Sequence, residues 1–515
     1  MEDYNAAAWL LDRRLDAGDG PRTAYRVDGD TVTYTELQGE VWRAQNALRQ
    51  FDVRRGERVA LVLDDELAFP AWFLGGLRSG AVPVPLSTML TAPELASILA
   101  DASAGTVVVS ARYAGHLPTL ASGCPELRTA VVVGEPAAAV DGGTLSVRAW
   151  ADLTDRADAP VAPTGPDSPA FWLYSSGTTG QPKGVMHRHA SLQATANTYG
   201  RAVLEIGPDD RSLSVPKLFF AYGLGNSLTF PLSVGASAVL NPRPPTPPDV
   251  VRLLRDEQPT LFFATPGFIA ALLDSDPPPE AFASVRCTVS AGEALPADLQ
   301  RRFQDRVGHP VLDGIGTTEA LHIFLSNAKG VEHPGTSGRL VPGYDARLVD
   351  DDGHDVTEPE APGYLEVRGP SLATGYWCRD EATRAAFRGE WLRTGDVYRR
   401  SVDGYWTFLG RNNDMIKAGG IWVSPAEVEG VLVEHPDVLE AAVVRGRDPH
   451  GLEVTVAFVV PRVGHRIDPV SIDAHCRERM AAFKRPRRIE VVDELPKTPT
   501  GKIRRFALRE RLEAE

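Results

Sequence analysis

The stretch YSSGTTGQPKGVMHRH, from Tyr174 to His189, combines small residues, hydroxylated residues and a single lysine, Lys183. Its glycines allow the backbone to approach a ligand closely, and its serines and threonines add hydroxyl donors. Exposed N–H groups, hydroxyls and one ammonium are what a polyphosphate needs around it. The apolar run AFWLY before the stretch predicts a buried strand, and ASLQATANTYG after it predicts a helix. A strand, a glycine-rich turn and a helix together predict a phosphate-binding loop.

This loop differs from the common nucleotide-binding pattern GxxxxGK followed by Ser or Thr. Lys183 is followed by Gly184, and the spacing of the glycines is different. A flexible surface loop is the alternative for an isolated Gly/Ser/Thr run, and the flanking strand and helix favour phosphate binding over it.

Composition restricts the class of protein. At 515 residues we expect about three folding units. The sequence holds no run of about 18 apolar residues and starts acidic, so neither a membrane span nor a secretory signal is expected. The four cysteines form no CxxC pair, which predicts reduced thiols in a cytoplasmic protein without zinc or disulfides. A net charge of −14 argues against a nucleic-acid partner.

The N-terminal part of the chain alternates apolar β-type runs with amphipathic helical runs, as where RVALVLDD precedes ELAFPAWFLGGLRSG. Such alternation predicts a mostly parallel α/β sheet with helices on both faces. From about Pro334 onward, short β segments and Gly-rich turns predict a smaller β subdomain.

Beyond Gly410 the sequence predicts a compact α+β unit that opens with a polar turn, a hairpin and a helix. The start of that helix is well signalled. Ser424 is the expected N-cap, Pro425 takes the first helical position, and Glu427 is expected to complete a capping box.

The boundary between the two parts is expected in the polar turn, because Asn412 and Asn413 adopt turn conformations easily. The predicted domains are a large N-terminal domain, 1–412, and a small C-terminal domain, 413–515.

Five separated motifs occur in order: YSSGTTGQPKG (174–184), GIGTTEA (314–320), RTGDVY (393–398), GRNNDMIKAGG (410–420) and PKTPTGKIRR (496–505). Nearly end to end, the chain resembles the adenylate-forming superfamily of acyl-CoA synthetases, adenylation domains and luciferases. The segments closest to benzoate–CoA ligases are KLFFAYGLGNSLTFPLSVGA (217–236), SAGEALP (290–296) and GIGTTEALHIFLSN (314–327). The expected fold class is α/β, with a large N-terminal domain of mostly parallel sheets flanked by helices plus a small β subdomain, followed by a small mobile α+β C-terminal domain.

The resemblance implies an aryl-acid CoA ligase that activates benzoate or a substituted benzoate. ATP would convert the carboxylate to an acyl-AMP with release of pyrophosphate, and the thiol of coenzyme A would then displace AMP. The expected cofactors are ATP, Mg²⁺ and coenzyme A. A stand-alone aryl-acid adenylation enzyme that loads a carrier protein shares the ATP motifs and is the alternative. We expect a monomer or homodimer with no nucleic-acid or membrane partner.

Carried onto this sequence, the resemblance implies that ATP is bound by Ser175, Ser176, Gly177, Thr178, Thr179, Gly180, Lys183, Thr317, Asp396 and Arg411. The implied catalytic residues are Thr318 near the α-phosphate, Glu319 as the Mg²⁺ ligand, and Lys502. Lys502 would reach from the small domain to the carboxylate and α-phosphate oxygens. Taken alone, Asp396 would be a turn residue and Glu319 a solvated carboxylate. The ordered set of motifs favours the functional interpretation, and it disfavours a non-catalytic ATP-sensing or scaffold protein.

For the second step, the resemblance implies that the small domain rotates about a hinge at Asn413. The hairpin residues Ala418, Gly419 and Gly420 would then line the pantetheine tunnel of coenzyme A, where glycines let the backbone approach a narrow ligand. Relatives usually carry Asp or Lys at the hinge, so Asn413 is a departure from the pattern.

The resemblance implies an acyl pocket formed by Ala221, Tyr222, Ala291, Gly292, Gly316, His322 and Ile323. Small residues would leave a flat slot with apolar walls and few charges. Ala221 stands where amino-acid-activating relatives have Asp, so an amino acid is disfavoured because its ammonium would be buried without a partner. His322 is expected to shape the pocket, with a packed structural histidine as the alternative. The segment Pro-Gly-Phe at 266–268 departs from the family pattern and is consistent with a substituted ring.

Overall fold

The structure is a computed structural model that describes residues 3–136, 139–176, 182–418, 421–448, 453–497 and 503–514. Within these ranges the side chains of residues 176, 417, 418, 421, 422, 513 and 514 are not described. No helix in the described ranges has both the length and the apolar composition needed to cross a membrane.

A nine-stranded sheet forms the centre of the large N-terminal part. In spatial order its strands are Arg339–Leu340, Ile323–Ser326, Val311–Gly316, Cys287–Ser290, Leu261–Ala264, Arg211–Ser214, Ser237–Leu240, Thr23–Val27 and Asp30–Thr33. The six strands from Val311–Gly316 to Thr23–Val27 pair in parallel, and antiparallel strands complete both edges. The inner strands are almost wholly buried, as expected for a parallel sheet covered on both faces.

A second sheet has five strands, all parallel, which confirms the prediction from strand–helix alternation. In spatial order they are Val82–Pro85, Arg58–Val62, Thr106–Ser110, Thr129–Val133 and Ser146–Ala149. A shared core with Tyr25, Trp72 and Phe171 fully buried joins strands of both sheets to the helices that cover them.

The glycine-rich stretch connects two antiparallel strands, Pro169–Ser176 and Pro182–Arg188, here called the glycine-loop hairpin. The predicted order of strand, loop and helix is therefore wrong, because the helix His189–Thr195 begins only after the second strand. The second strand is held by pairing with the first, with Ser175 opposite Lys183. A helix N-terminus thus does not follow the loop directly.

α-Helices lie around the sheets and also occur in the C-terminal part. They are Arg13–Asp16, Tyr34–Gln50, Ala68–Ser79, Ala92–Ala102, Leu117–Gly123, His189–Thr195, Ala221–Leu224, Phe230–Val234, Pro247–Glu257, Pro266–Asp274, Ala297–Val307, Asp380–Ala386, Pro425–Val433, Pro469–Arg479 and Arg505–Ala514. Shorter 3₁₀- and π-helical turns are Ala8–Asp12, Ala111–His116, Trp150–Asp152, Ala196–Arg201, Gly225–Thr229, Pro279–Phe282 and Asn412–Asp414.

The smaller β subdomain expected after Pro334 is present as an antiparallel sheet. Its strands are Asp345–Val349, Gly363–Arg368, Trp391–Arg400, Phe387–Arg388 and Trp406–Arg411. The turn Asn412–Asp414 follows its last strand. The division into domains 1–412 and 413–515 stays a prediction.

The C-terminal part has its own core, in which Ile416, Leu432 and Val459 are buried together. Its strands are Ile416–Ala418, Ile421–Val423, Val438–Arg447, Glu453–Pro461 and Arg488–Val491. The first two form the predicted hairpin.

The helix Pro425–Val433 begins as predicted, with the Ser424 hydroxyl accepting from the Glu427 backbone N–H at 3.2 Å. The predicted return bond of a capping box is replaced. The Glu427 carboxylate instead accepts from Lys484 at 2.6 Å and lies 3.3 Å from Arg399. Two cations next to the Glu427 carboxylate outcompete the backbone N–H of the N-cap, because a bond between two charged groups is stronger than a bond from a neutral donor.

Candidate active site

Several predicted site residues lie outside the described residues: Gly177, Thr178, Thr179, Gly180, Gly419, Gly420 and Lys502. The backbones of Ser176 and Ala418 are described, but their side chains are not. The roles assigned to all of these residues stay predictions, and the geometry below concerns the remaining members of the predicted site.

Lys183 and Glu319, from two separate motifs, meet at the ring of Tyr376. The Lys183 ammonium lies 5.3 Å from the centre of that ring, within the range of a cation–π contact. The Tyr376 hydroxyl donates a hydrogen bond to Glu319 Oε1 at 2.8 Å. Ser175 lies opposite Lys183 in the glycine-loop hairpin. A cation, a carboxylate and the base of the glycine loop therefore share one place in the fold.

The turn that carries Thr317, Thr318 and Glu319 follows the strand Val311–Gly316. Thr317 Oγ1 accepts from the backbone N–H of Ala320 at 3.1 Å, which closes the turn. The Thr318 carbonyl accepts from His187 Nε2 at 2.8 Å.

His187 belongs to the second strand of the glycine-loop hairpin, so its bond to Thr318 ties the turn to the hairpin. Burial lowers the pKa of His187 to about 4, so the ring is neutral near pH 7. Because a carbonyl can only accept, the ring proton is on Nε2.

Asp396 and Arg411 lie opposite each other on neighbouring strands of the β subdomain. Asp396 is 2% exposed, and Arg411 Nε lies 3.1 Å from its Oδ1. Arg411 also donates to the Thr394 carbonyl at 3.1 Å, although 52% of its side chain is exposed. A carboxylate next to a guanidinium can accept hydrogen bonds from hydroxyl groups.

Aromatic rings surround His322, which is almost fully buried. The ring centres of Phe230, Tyr199 and Tyr222 lie 4.5, 5.2 and 5.4 Å from that of His322. The Tyr222 hydroxyl donates to the Val289 carbonyl at 3.0 Å, and burial raises the pKa of Tyr222 well above its usual value. The rings around His322 are aromatic, as the acyl-pocket prediction expects.

A chain of hydrogen bonds orients the His322 ring. The Ser214 hydroxyl donates to the Pro216 carbonyl at 2.9 Å, so its oxygen accepts from the Asn226 amide at 3.2 Å. Asn226 then presents Oδ1 to His322 Nε2 at 3.2 Å, and this ring nitrogen carries the proton. Burial lowers the pKa of His322 to about 3. His322 is a neutral, packed ring rather than a cation.

Gly316 and Ile323 lie opposite each other in antiparallel strands, and Ile323 is buried. A Cβ at Gly316 would lie 2.4 Å from the His322 carbonyl oxygen and 2.9 Å from the Ile323 nitrogen. The absence of a side chain at Gly316 is therefore required by strand pairing, in addition to any space it leaves for a ring.

The other predicted acyl-pocket residues lie on separate elements. Ala221 is the first residue of the helix Ala221–Leu224 and is half-buried. Ala291 is buried directly after the strand Cys287–Ser290, and Gly292 has a φ of +99°, a left-handed conformation that favours glycine.

The predicted hinge residue Asn413 lies in the helical turn that follows Arg411. Contacts on either side of this turn join the two parts of the chain. The Ser424 hydroxyl bonds the Leu409 carbonyl, and Arg399 lies 3.3 Å from Glu427. The hinge role of Asn413 stays a prediction.

Sequence analysis missed Tyr376, His187 and Asn226, which contact predicted site residues. Tyr376 follows a glycine in ATGYWCRD, but an aromatic residue after a glycine does not by itself indicate a functional site. His187 lies within the opening stretch, but its contact with Thr318, 131 residues away, leaves no local signal. Asn226 carries no local signal, since its role depends on packing.

Comparison with known proteins identifies the family of the chain. The family model of the AMP-binding enzymes matches residues 13–377, and that of the AMP-binding enzyme C-terminal domain matches residues 427–502. The chain is 45% identical to a benzoate–CoA ligase of Thauera aromatica, over 99% of this chain and 96% of that protein.

Solved structures give the same result. A benzoate CoA ligase from Burkholderia xenovorans LB400 superposes with a TM-score of 0.89 at 42% identity, over 98% of this chain and 100% of that one. An anthranilate CoA ligase in complex with anthranoyl-AMP superposes with a TM-score of 0.92 at 38% identity, over 99% and 98% of the two chains. The chain therefore belongs to the AMP-binding, adenylate-forming enzyme family, in the branch that includes the benzoate–CoA ligases.

Proposed function

We propose that this protein is an aryl-acid–CoA ligase that uses ATP to join benzoate or a substituted benzoate to coenzyme A. The observation that carries the proposal is the aromatic environment of Tyr222 and His322, in a chain whose family forms acyl adenylates. A flat, apolar acid suits such surroundings.

In the first step, an oxygen of the aryl carboxylate attacks the α-phosphorus of ATP and pyrophosphate leaves. Reactions at phosphorus depend mainly on positioning and on neutralising charge. Ser175, Lys183 and the glycine loop between them hold the β- and γ-phosphates, and Thr317 and Thr318 lie near the α-phosphate. Lys502 completes the set from the small domain.

The ribose of ATP binds at Asp396, whose buried carboxylate accepts from both ribose hydroxyls. Arg411 orients that carboxylate, consistent with the 3.1 Å contact between them. This contact supports a nucleotide site at the edge of the β subdomain.

Glu319 suits Mg²⁺, because a carboxylate oxygen is a hard ligand of the type this ion prefers. Tyr376 already occupies Glu319 Oε1, which leaves the carboxylate oriented by a neutral donor rather than by a competing cation. When bound, the ion would offset negative charge on the phosphates and the departing pyrophosphate.

The acyl pocket is formed by the small residues and rings described above. His322 is neutral, so it contributes shape and an apolar surface rather than charge. A general base is not required in the first step, because the carboxylate is already ionised near pH 7.

In the second step, the thiol sulfur of coenzyme A attacks the acyl carbon and AMP leaves. The small domain, 413–515, rotates about Asn413 and brings Ala418, Gly419 and Gly420 to the pantetheine tunnel. This rotation would change the contacts that now join the two parts, which include Arg399–Glu427, Ser424–Leu409 and the packing of Met415 against Leu409.

A cytoplasmic location is part of the proposal, because all four cysteines are free thiols.

The test is an assay of purified protein with ATP, Mg²⁺ and coenzyme A across benzoate, hydroxybenzoates and aminobenzoates, with octanoate and phenylalanine for contrast. Pyrophosphate release and thioester formation are measured separately. We expect the highest kcat/KM for benzoate or a monosubstituted benzoate, since one well-filled methylene-sized contact is worth about 1–3 kcal/mol. A preference for octanoate over every aryl acid would refute the proposal. Pyrophosphate release without thioester formation would favour the carrier-loading alternative.

A further inference from the structure

We propose that Tyr376 is a positioning residue for adenylation, which holds Glu319 in place and keeps it apart from the Lys183 ammonium. Tyr376 contacts both residues, one through its hydroxyl and the other through its ring. The inference deepens the proposed function, on which its kinetic part rests.

Lys183 and Glu319 carry opposite charges and contact the same tyrosine, and a direct ion pair between them would neutralise both. Within the described ranges, Lys183 forms no ion pair with a carboxylate. The Tyr376 ring lies beneath the ammonium and its hydroxyl occupies Glu319 Oε1. The ring thus acts as a spacer that leaves Lys183 available to an incoming polyanion.

Further contacts fix the position of Tyr376 and its ring. Its backbone N–H donates to Thr383 Oγ1 at 3.0 Å, and its ring packs edge-on against Phe387 at 5.7 Å. An isolated β-bridge pairs Tyr376 with Val185, two residues after Lys183. The tyrosine therefore keeps a constant position relative to the glycine-loop hairpin.

The Tyr376 hydroxyl donates to the Glu319 carboxylate at 2.8 Å. A tyrosine hydroxyl ordinarily keeps its proton near pH 7. A neutral phenol can orient a carboxylate without cancelling its charge, which a lysine or arginine at this place would do.

The first experiment compares Tyr376→Phe with Tyr113→Phe as a matched control. Tyr113 also donates to a carboxylate, that of Asp64 at 3.1 Å, and is not assigned to the site. Binding of ATP with Mg²⁺ is measured by calorimetry without any aryl acid. We expect Tyr376→Phe to weaken binding about tenfold to a hundredfold, the range for loss of a hydrogen bond to a charged group. We expect no comparable change in Tyr113→Phe.

The kinetic part separates positioning from a general structural role. In Tyr376→Phe, kcat/KM for ATP in pyrophosphate release should fall by a similar factor, while KM for benzoate changes little. Thioester formation from synthetic benzoyl-AMP and coenzyme A should keep the wild-type rate, because no pyrophosphate group takes part. Parallel loss of both half-reactions together with a lower melting temperature would overturn the proposal.

A double-mutant cycle tests whether Tyr376 acts through Glu319. In a Glu319→Gln background, Tyr376→Phe should change ATP binding by less than about threefold, because the charged partner is already gone. An undiminished effect in that background would contradict the inference. Tyr376→Leu should be worse than Tyr376→Phe, since it also removes the ring under Lys183, and equal effects would refute the spacer role.

These results are distinguishable from failure of the proposed function. If no aryl acid is adenylated by the wild-type protein, the proposed function fails, whereas the calorimetric comparison still reports on Tyr376. If aryl acids are adenylated and Tyr376→Phe binds ATP like the wild type, the inference alone fails.

Discussion

Replacing Gly316 by alanine tests the strand pair next to which residues of both the proposed ATP site and the proposed acyl pocket lie. The strand Val311–Gly316 leads into the turn with Thr317 to Glu319, and its partner strand starts next to His322. The Cβ of an alanine would lie 2.4 Å from the His322 carbonyl oxygen and 2.6 Å from its carbonyl carbon. Ordinary contacts begin at 3.4 Å, so the facing backbone must move by about 1 Å.

Two effects are expected from this displacement. Overpacking of this kind destabilises proteins by about 1–3 kcal/mol, so the thermal midpoint should fall. A 1 Å displacement of catalytic groups can cost about a hundredfold in rate, so kcat/KM for benzoate should fall by roughly that factor. Because the same strand pair carries Glu319 and His322, KM should rise for ATP as well as for benzoate.

Pyrophosphate release and thermal unfolding are measured in parallel with Gly207→Ala as the control. A Cβ at Gly207 would have no atom within 4 Å, so that variant should behave like the wild type. Wild-type kcat/KM and an unchanged midpoint in Gly316→Ala would refute the reasoning. Loss confined to benzoate, with ATP binding intact, would mean that the added methyl group blocks the ring slot instead of displacing the strand.

Three further predictions concern separate groups. In Lys502→Ala, the rate of acyl-AMP formation should fall by about 10²–10³-fold, while thioester formation from synthetic benzoyl-AMP should persist. Lys502→Arg should restore little activity, because a planar guanidinium does not replace the compact charge of an ammonium. Equal loss in both assays would contradict this prediction. Asp396→Asn should raise KM for ATP about tenfold or more, since hydrogen bonds to a charged group are worth about 1.5–3 kcal/mol, and an unchanged KM would remove Asp396 from the ribose site. The folded-state pKa values of His187 and His322, about 4 and about 3, lie below the ordinary 6.5. As the pH falls from 6.5 toward 4, the unfolded chain takes up protons at these histidines that the folded chain does not, so the urea midpoint of unfolding should drop. His187→Gln should make the urea midpoint depend less on pH. A urea midpoint that does not change with pH would contradict this prediction.

The sequence predicted the parallel sheets because their signal is local. Apolar runs such as TVVVS at 106–110 are buried on both faces in the structure, and the helical runs between them require crossovers. The β subdomain and the start of the helix at Ser424 were predictable for the same reason, since turn and capping residues act on their immediate neighbours.

The second strand of the glycine-loop hairpin could not be predicted from the local sequence. Residues 182–188 form a strand because they pair with 169–176 and with the bridge at Tyr376, so their conformation depends on distant partners. The same holds for Glu427, whose carboxylate binds Lys484 rather than its own helix.

What the sequence by itself determined is the order of the elements and the set of candidate groups to which we assign the chemistry, such as Lys183, Glu319 and Asp396. Only the tertiary structure decided that Tyr376 contacts both Lys183 and Glu319, and that His322 is a neutral ring bonded to Asn226. Composition and spacing act over a few residues, whereas these contacts join residues far apart in the chain, and their geometry and protonation follow from burial.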